Sequence, residues 1–325
     1  MSSILSKIIS NEQLSFDESK QFIYDINDEK YNETTIGGIL VGIQMRGVKL
    51  EELNGFRTAL LELTIPIELD SDQAIDLCGT GGDGKDTFNI STTTAFVLAA
   101  MGKKVIKHGN YGVSSLCGSS NVLEALGIEF TNDNKTLEKN LEQKNICFLH
   151  APLFHPAMKK VAPIRRNIGI RSVFNSLGPL VNPAQPNYQL TGTYSLELAK
   201  IYQHILQGDR TDFTVAYGMD GYDEITLTDD TRLLSRERDE ILNANSLSIE
   251  KVKQSALLSG NSIHHAAKIL KDILNGKGTK EQNEVVAANV ASALKLYHPS
   301  TAILDLFNES ISFIQSGQSS TVLSN

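Results

Sequence analysis

Four stretches of the chain gather side chains and backbone suited to chemistry rather than to filling a core. The first is DLCGTGGDGKDTFNIST, Asp76 to Thr92. Its glycines, Gly79, Gly81, Gly82 and Gly84, let the backbone take left-handed angles and turn N–H groups toward a ligand. Asn89, Ser91 and Thr92 then lead into a helix-like run, and a helix N-terminus offers unpaired N–H groups with a partial positive charge. Together these form a phosphate or diphosphate cradle; the plain alternative is a glycine-rich turn with a Ser/Thr cap. A dinucleotide or nucleoside-triphosphate site is not expected, and GxxxxGK[ST] is not completed because Asp86 follows Lys85.

The second stretch, KHGNYGVSSLCGSS from Lys107 to Ser120, repeats the order of strand, glycine-bearing loop and hydroxyl-rich helix start. Two such cradles in one sheet could hold two anionic groups of one substrate. Lys107 adds a point charge, while His108 and Asn110 offer directional hydrogen bonds. A lone loop histidine is more often structural than catalytic. The third stretch, GMDGYDE, places Asp223 and Glu224 side by side after an apolar run. Alone they read as solvated turn acids. Beside two phosphate cradles they read as hard oxygen ligands for magnesium shared with a diphosphate, with Asp83 placed to help. The fourth, His150 to Pro183, collects Lys159, Lys160, Arg165, Arg166 and Arg171. Several of these are solvated helix charges, but one arginine turned inward would bind a planar carboxylate through two bonds. Cys147, His150 and His155 have poor spacing for zinc and lack a fourth ligand.

These stretches need a scaffold, and the hydrophobic pattern supplies one. Up to about residue 65 the signal is helical. Leu5, Ile8 and Ile9 mark a short face, and Ser15 with Glu18 forms a capping box ahead of Phe22 and Ile26. The glycines of TTIGGILVGIQMRG lower helix propensity but let another backbone come close. Leu53, Phe56, Leu60 and Leu63 continue the helical spacing. From Asp70 the character changes. Strands are expected at 74–77, 104–107, 146–149 and 213–217, alternating with helices, which implies an α/β sheet covered on both faces. Residues 163–186 interrupt this order and could cross back to the helical part. Closing helices are expected at 257–276, 280–297 and 299–315, and the last ten residues read as frayed.

The bulk numbers agree with an ordinary globular protein. The 325 residues are 41% hydrophobic and 21% charged, with a net charge of -8 that argues against a generic nucleic-acid surface. Three cysteines, Cys78, Cys117 and Cys147, lie far apart, so no disulfide framework is expected. The N-terminus is too polar for a signal peptide and no apolar run reaches membrane-spanning length, so the cytosol is the expected compartment.

The order GTGGDG, NIST, KHGN with its Ser/Gly run and NVLEALG, then GIRSVFNSLGPLVNP, resembles the anthranilate phosphoribosyltransferase family over most of the chain, most weakly in the last seventy residues or so. The resemblance implies the nucleoside phosphorylase/anthranilate phosphoribosyltransferase fold, with a small N-terminal helical domain beside a large α/β domain. The implied division is 1–66 with a contribution from about 166–186, against 70–165 and 187–325, usually as a homodimer. It implies transfer of phosphoribose from 5-phosphoribosyl diphosphate to the amine of anthranilate, in tryptophan biosynthesis, with two magnesium ions. By the same resemblance Gly79, Thr80, Gly81, Gly82, Asp83, Thr87, Asn89, Ser91, Thr92, Lys107 and Ser119 would hold the donor. Ser91, Asp223 and Glu224 would be the metal ligands. Asn110 and Arg165 would hold anthranilate, and His108, Pro152, His155, Met158 and Gly178 would surround its ring and entry channel. A hinge at the domain crossing would close the cleft.

Two positions depart from the family pattern. Tyr111 follows KHGN where arginine is frequent, and Leu116 stands where a basic residue is frequent. Two alternatives stay open at this level: a pyrimidine-nucleoside phosphorylase of similar fold, and a non-enzymatic relative that binds nucleic acid. KHGN and the Asp223–Glu224 pair favour the transferase.

Overall fold

The computed structural model describes residues 3–112, 117–209 and 211–323. Leu116, and Ser114 and Ser115 of the hydroxyl-rich second stretch, lie outside them. Seven strands form one sheet in the order β3-β2-β1-β4-β5-β6-β7. They are β1 (Ala74–Gly79), β2 (Lys104–Gly109), β3 (Ile146–His150), β4 (Tyr188–Gly192), β5 (Asp212–Gly218), β6 (Thr231–Leu234) and β7 (Asp239–Leu242). The first five run parallel, and β6 and β7 add an antiparallel ribbon at one edge. The apolar runs at 74–77, 104–107, 146–149 and 213–217 are all strands, as their composition implies.

Three strands were not expected. YQLTG, the whole of β4, sits in the middle of the sheet between β1 and β5. Its polar residues Gln189 and Thr191 are buried and its one large aliphatic, Leu190, faces the main core. Such a strand carries no apolar signature because one of its faces packs against hydrogen-bonding groups instead of a hydrophobic layer. The short β6 and β7 alternate only weakly and sit at the edge.

The N-terminal helices Ser3–Ile9, Phe16–Asn27, Glu33–Arg46 and Leu50–Glu62 precede any strand. Ser15 and Glu18 make the expected reciprocal cap. Gly42 gives passage to the Ile8 side chain rather than to a backbone: an added Cβ would lie 2.2 Å from Ile8 Cγ2. These helices share one core with the helix Pro156–Ile168, the segment 173–181, the helix Leu196–Gln207 and residues of β5 and β6. The opposite face of the sheet is covered by Ile90–Ala100 and the closing helices Ile263–Leu274, Lys280–Tyr297 and Ile303–Gln315. The first closing helix starts later than its apolar pattern suggests, after a single 3-10 turn at Gln254–Leu257. The frayed reading of the last ten residues is corrected. Gln318–Leu323 forms a 3-10 turn whose Ser319 and Val322 are buried against the main core. Its serines suggested solvation, but Val322 and Leu323 supply enough apolar surface to dock it. Among the described residues no helix is long and apolar enough to cross a membrane.

One close approach fixes where the third chemical stretch lands. Gly192 ends β4 directly under the backbone of Asp223, where an added Cβ would stand 1.6 Å from the Asp223 carbonyl oxygen. No side chain can move aside there, because the obstacle is main chain. Gly192→Ala is therefore expected to destabilise the protein by about 1–3 kcal/mol through displacement of the Asp223 turn. Denaturant unfolding with unchanged m-value checks this; a stability equal to that of the parent protein would rule the contact out as a constraint.

Candidate active-site cleft

β1 is flanked by β2 on one side and β4 on the other, so the chain order reverses across it. A crevice outside the carboxyl ends of the strands is the usual ligand site at such a switch point. Here it is a cleft of about 220 Å³, lined by all three glycine- and acid-bearing loops and by the helix Pro156–Ile168. Every residue assigned above to donor, acceptor or metal binding lines it: Gly79, Thr80, Gly81, Gly82, Asp83, Thr87, Asn89, Ser91, Thr92, Lys107, His108, Asn110, Ser119, Arg165, Asp223 and Glu224. Met158 and Gly178 line it too, whereas Pro152 and His155 do not.

The crevice opens because β1 and β2 splay apart. Their paired register covers only Ala74 with Lys104 and Ile75 with Val105, while β1 and β4 stay paired to Gly79 and Gly192. Beyond Ile75 two side chains replace the missing ladder. Lys107 Nζ donates to the Leu77 carbonyl, and Asp76 Oδ1 accepts the His108 backbone N–H at 3.1 Å. Buried main-chain groups left without such partners would be costly.

At one end the cleft is acidic. Gly81 N–H donates to Asp223 Oδ2 at 2.5 Å and Ser91 N–H to Glu224 Oε1 at 3.3 Å. The helix Ile90–Ala100 begins at Asn89 with no side-chain cap. Asn89 Nδ2 instead bonds Cys117 O at 3.0 Å, tying the second loop to the first and leaving the helix N-terminus open. Asp83, Asp223 and Glu224 all have raised pKa values, chiefly because burial penalises their charged forms; repulsion from neighbouring carboxylates adds to this for Asp223 and Glu224, and Glu224 is pushed up to about 7. Lys107, 3.3 Å from Ser91 Oγ, offsets part of the Glu224 shift, and Lys85 does the same for Asp83. The run Gly79–Gly84 also satisfies GxGxxG, a match not expected above. The helix starts only at Ile90 rather than at the last glycine, so dinucleotide geometry is not formed.

The other end is basic and apolar. Arg165 is buried, its Nη2 donates to Asn175 Oδ1 at 3.0 Å, and burial lowers its pKa to about 10. Its Nε has no partner, and among the described residues no carboxylate pairs with it. Phe174, Met158 and Pro179 line the space beside it. His108 Nδ1 lies 3.0 Å from Gly178 O. A carbonyl can only accept, so Nδ1 carries the proton and Nε2 presents a bare lone pair, for which no protein partner is present. Burial depresses the His108 pKa to about 3, with the His155 ring 5.2 Å away adding to it, so the imidazole is neutral.

The two departures differ in what can be said of them. Tyr111 donates its hydroxyl to Glu124 at 2.7 Å and stands edge-on to His150, which stacks on Phe130. It therefore braces the second loop against the helix Ser119–Ala125. Cys147, His150 and His155 have separate roles, His150 with Ser120 Oγ and His155 with Val181 O. Sequence reasoning missed Asn175, which orients Arg165; Arg171, grouped above with the other basic residues of the stretch, has its stem against Gly82 and its guanidinium 4.1 Å over Tyr194. The dense run GIRSVFNSLGP held both, but no spacing rule separates them from their neighbours.

Family models match both parts of the chain, the glycosyl transferase family helical bundle domain over residues 2–64 and its a/b domain over 71–319. The anthranilate phosphoribosyltransferase of Christiangramia forsetii is 51% identical, over 90% of this chain and 89% of the relative. The crystal structure of anthranilate phosphoribosyltransferase from Thermus thermophilus superposes with a TM-score of 0.89 at 29% identity, covering 98% of this chain and 97% of that one. The Saccharomyces cerevisiae enzyme in complex with PRPP and Mg gives a TM-score of 0.89 at 27% identity, with 99% and 95% covered.

Beneath the splay, Asp76 is fully buried and its pKa is raised from 3.8 to about 6 by desolvation, partly offset by Lys107. Below about pH 4 the carboxyl is neutral whether the chain is folded or unfolded. Between those two values the unfolded chain ionises first, so this group's contribution to stability falls as pH rises, reaching a cost of about 3 kcal/mol above pH 6. Asp76→Asn keeps the oxygen that receives the His108 N–H and has no such titration. Its stability relative to the parent protein is expected to improve between about pH 4 and pH 7, by up to that amount. Urea unfolding of both proteins at the two pH values checks the sign; a pH-independent difference would show that Asp76 titrates normally.

Proposed function

We propose that this chain, which belongs to the anthranilate phosphoribosyltransferase family, performs that family's transfer across a cleft whose two ends carry opposite, uncompensated charge. The protein is a glycosyltransferase that moves phosphoribose from 5-phosphoribosyl diphosphate to the amine of anthranilate. The observation that carries the assignment of ends is the pairing of a buried guanidinium lacking an acid with a group of buried carboxylates short of a cation. Such groups are costly alone and are retained where a ligand completes them. Arg165 suits the anthranilate carboxylate, and the acidic end with its open helix N-terminus suits a diphosphate together with metal.

The residues fit magnesium. Asp223 and Glu224 are hard, buried oxygen donors whose pKa values are raised by burial and, secondarily, by neighbouring carboxylates, a cost that a cation would relieve. Among the described residues no three His, Cys, Asp or Glu side chains converge as a closed metal cage, which suits an ion that keeps water and substrate phosphates as ligands. Asp223 faces the glycine loop and Glu224 the start of Ile90–Ala100, so the two carboxylates would hold two ions, with Ser91 Oγ beside the second. When bound, magnesium supplies positive charge to the departing diphosphate.

In the reaction the C1–oxygen bond to diphosphate breaks, a C1–nitrogen bond forms, and the amine releases one proton to the departing diphosphate or to solvent. The N–H groups of the glycine loop and of the helix start stabilise the charge that develops on the leaving group. Lys107 serves the donor phosphates from the floor of the splay. At the other end Arg165, oriented by Asn175, fixes the acceptor carboxylate. Asn110 and the bare Nε2 of His108 accept from the amine and aim its lone pair at C1. With a pKa of about 3, His108 is too weakly basic to keep the proton, so its part is orientation. A uracil or thymine would bring no carboxylate to Arg165, which removes support from the nucleoside phosphorylase alternative. We assign the chain to tryptophan biosynthesis in the cytosol and to a homodimer on the family resemblance.

Incubating the protein with anthranilate, 5-phosphoribosyl diphosphate and magnesium should consume anthranilate fluorescence, with no loss when donor or metal is omitted. Absence of turnover across a magnesium titration would overturn the reading. Arg165→Ala is expected to raise the anthranilate KM by about ten- to a hundredfold with the donor KM nearly unchanged, as a lost charged hydrogen-bond pair requires. Asp223→Asn combined with Glu224→Gln should have the converse effect, weakening magnesium-dependent use of the donor. Identical shifts in both Michaelis constants would contradict the assignment of the two ends.

A further inference from the structure

Asp76 and Gln189 lie side by side, paired in register on β1 and β4, and both are buried. Neither lines the cleft. Each nevertheless grips one wall of its acceptor end. Asp76 Oδ1 holds the His108 backbone N–H at 3.1 Å, where the ladder between β1 and β2 has stopped. Gln189 Nε2 donates to Pro179 O at 2.5 Å, and Pro179 lines the cleft beside Gly178. The two walls are also joined to each other, since His108 Nδ1 donates to Gly178 O at 3.0 Å. The result is a closed loop of contacts: Asp76 to His108, His108 to Gly178, Pro179 to Gln189, and Gln189 back to Asp76 through the strand pairing.

We propose that Asp76 and Gln189 are positioning residues that set the distance between His108 and the Gly178–Pro179 wall, and so the fit of the acceptor. Val105 and Ile75 are the last residues paired between β2 and β1, so main-chain bonding no longer ties His108 to β1, although it still pairs with Leu149 of β3. Proline offers only its carbonyl, so Gln189 takes the sole hydrogen-bonding group by which Pro179 can be anchored. The two hydrogen bonds leave the donor end untouched, because Gly81, Ser91, Asp223 and Glu224 are bonded among themselves; Asp76 reaches that end only through the charge it presents to Lys107, which Asp76→Asn removes without removing the bond to His108. Loss of either grip should therefore appear in acceptor use and not in donor use, whereas simple destabilisation would affect both.

This inference rests on the acceptor reading of that end, and the experiment separates the two. Gln189→Met keeps volume and removes the donor to Pro179; Asp76→Ala removes the acceptor for His108; Asp76→Asn retains it. Kinetics on the full chain should show the anthranilate KM raised about three- to tenfold, the size of one buried hydrogen bond, in Gln189→Met against the parent and in Asp76→Ala against Asp76→Asn, with the donor KM within about twofold in each comparison. Asp76→Asn should restore the parent value. Amide hydrogen exchange at His108 should quicken in Asp76→Ala and stay slow in Asp76→Asn. Equal shifts in both Michaelis constants, unchanged constants in Gln189→Met, or failure of Asp76→Asn to restore the acceptor KM and the slow exchange would each overturn the proposal. If Asp76→Ala does not fold, Gln189→Met and the Asp76→Asn exchange rate still decide it. If the parent protein consumes no anthranilate, the reading of the substrate fails instead, and the exchange comparison still tests the support given to His108.

Discussion

The structure turns on how one strap of backbone, Ser176 to Val181, is held. Its carbonyls point away from any regular ladder, yet nearly every one is captured by a side chain from a different part of the fold. Tyr202 donates to Ser176 O, His108 to Gly178 O, Gln189 to Pro179 O, Arg57 to Leu180 O and His155 to Val181 O. Leu177 O accepts from the Leu180 N–H within the strap. The donors come from the helix Leu196–Gln207, β2, β4, the helix Leu50–Glu62 and the start of Pro156–Ile168. A loop that packs against a sheet without pairing to it must satisfy its polar groups in some such way. Here the solution also ties the helical layer, the sheet and the cleft into one body, since Gly178 and Pro179 face the acceptor space.

The capture has a chemical by-product. Because Gly178 O requires a proton from Nδ1, His108 has only one tautomer open to it, and its Nε2 is left as a pure acceptor. His155 is fixed in the opposite tautomer by Val181 O, and burial holds its pKa at about 4, so two neutral rings meet without charge. An imidazole chosen for proton transfer would be left free to titrate near neutrality. These two are locked by structure, which is what a transfer needing orientation more than acid–base catalysis asks of its histidines.

The sequence was most legible where the backbone itself is the functional group. Glycine and hydroxyl density marked both loops, and the acidic pair Asp223–Glu224 could be placed by its neighbours. All of these converge on one cleft. Legibility failed where a polar residue is buried for the sake of another segment's backbone. Gln189 made β4 look unlike a strand, and Asp76 read as the entry to a glycine loop rather than as the brace of a splay. Asn175 and Tyr202 were invisible for the same reason: their partners are distant in sequence, and no periodicity reports a side chain bonded to a remote carbonyl or guanidinium. The docked C-terminal turn was missed on different grounds, because two apolar residues among serines suffice once a groove is waiting for them.

The same buried polarity explains why the two ends of the cleft can stay so unlike each other. A guanidinium without an acid and carboxylates short of a cation would attract one another across a flexible site and collapse into an ion pair. Their own hydrogen bonds hold them apart: Arg165 is turned onto Asn175, and Asp223 and Glu224 are turned onto the backbone N–H groups of Gly81 and Ser91. Each charged group is thus held by a neutral partner that orients it without cancelling it. The folded protein bears that desolvation cost when empty and recovers it when substrates arrive, so rigidity of the neutral scaffold is the condition for charge separation in the site. By this argument the residues that matter most beyond the cleft are the uncharged and singly bonded ones beneath it, since they decide whether the charges wait for substrate or find each other.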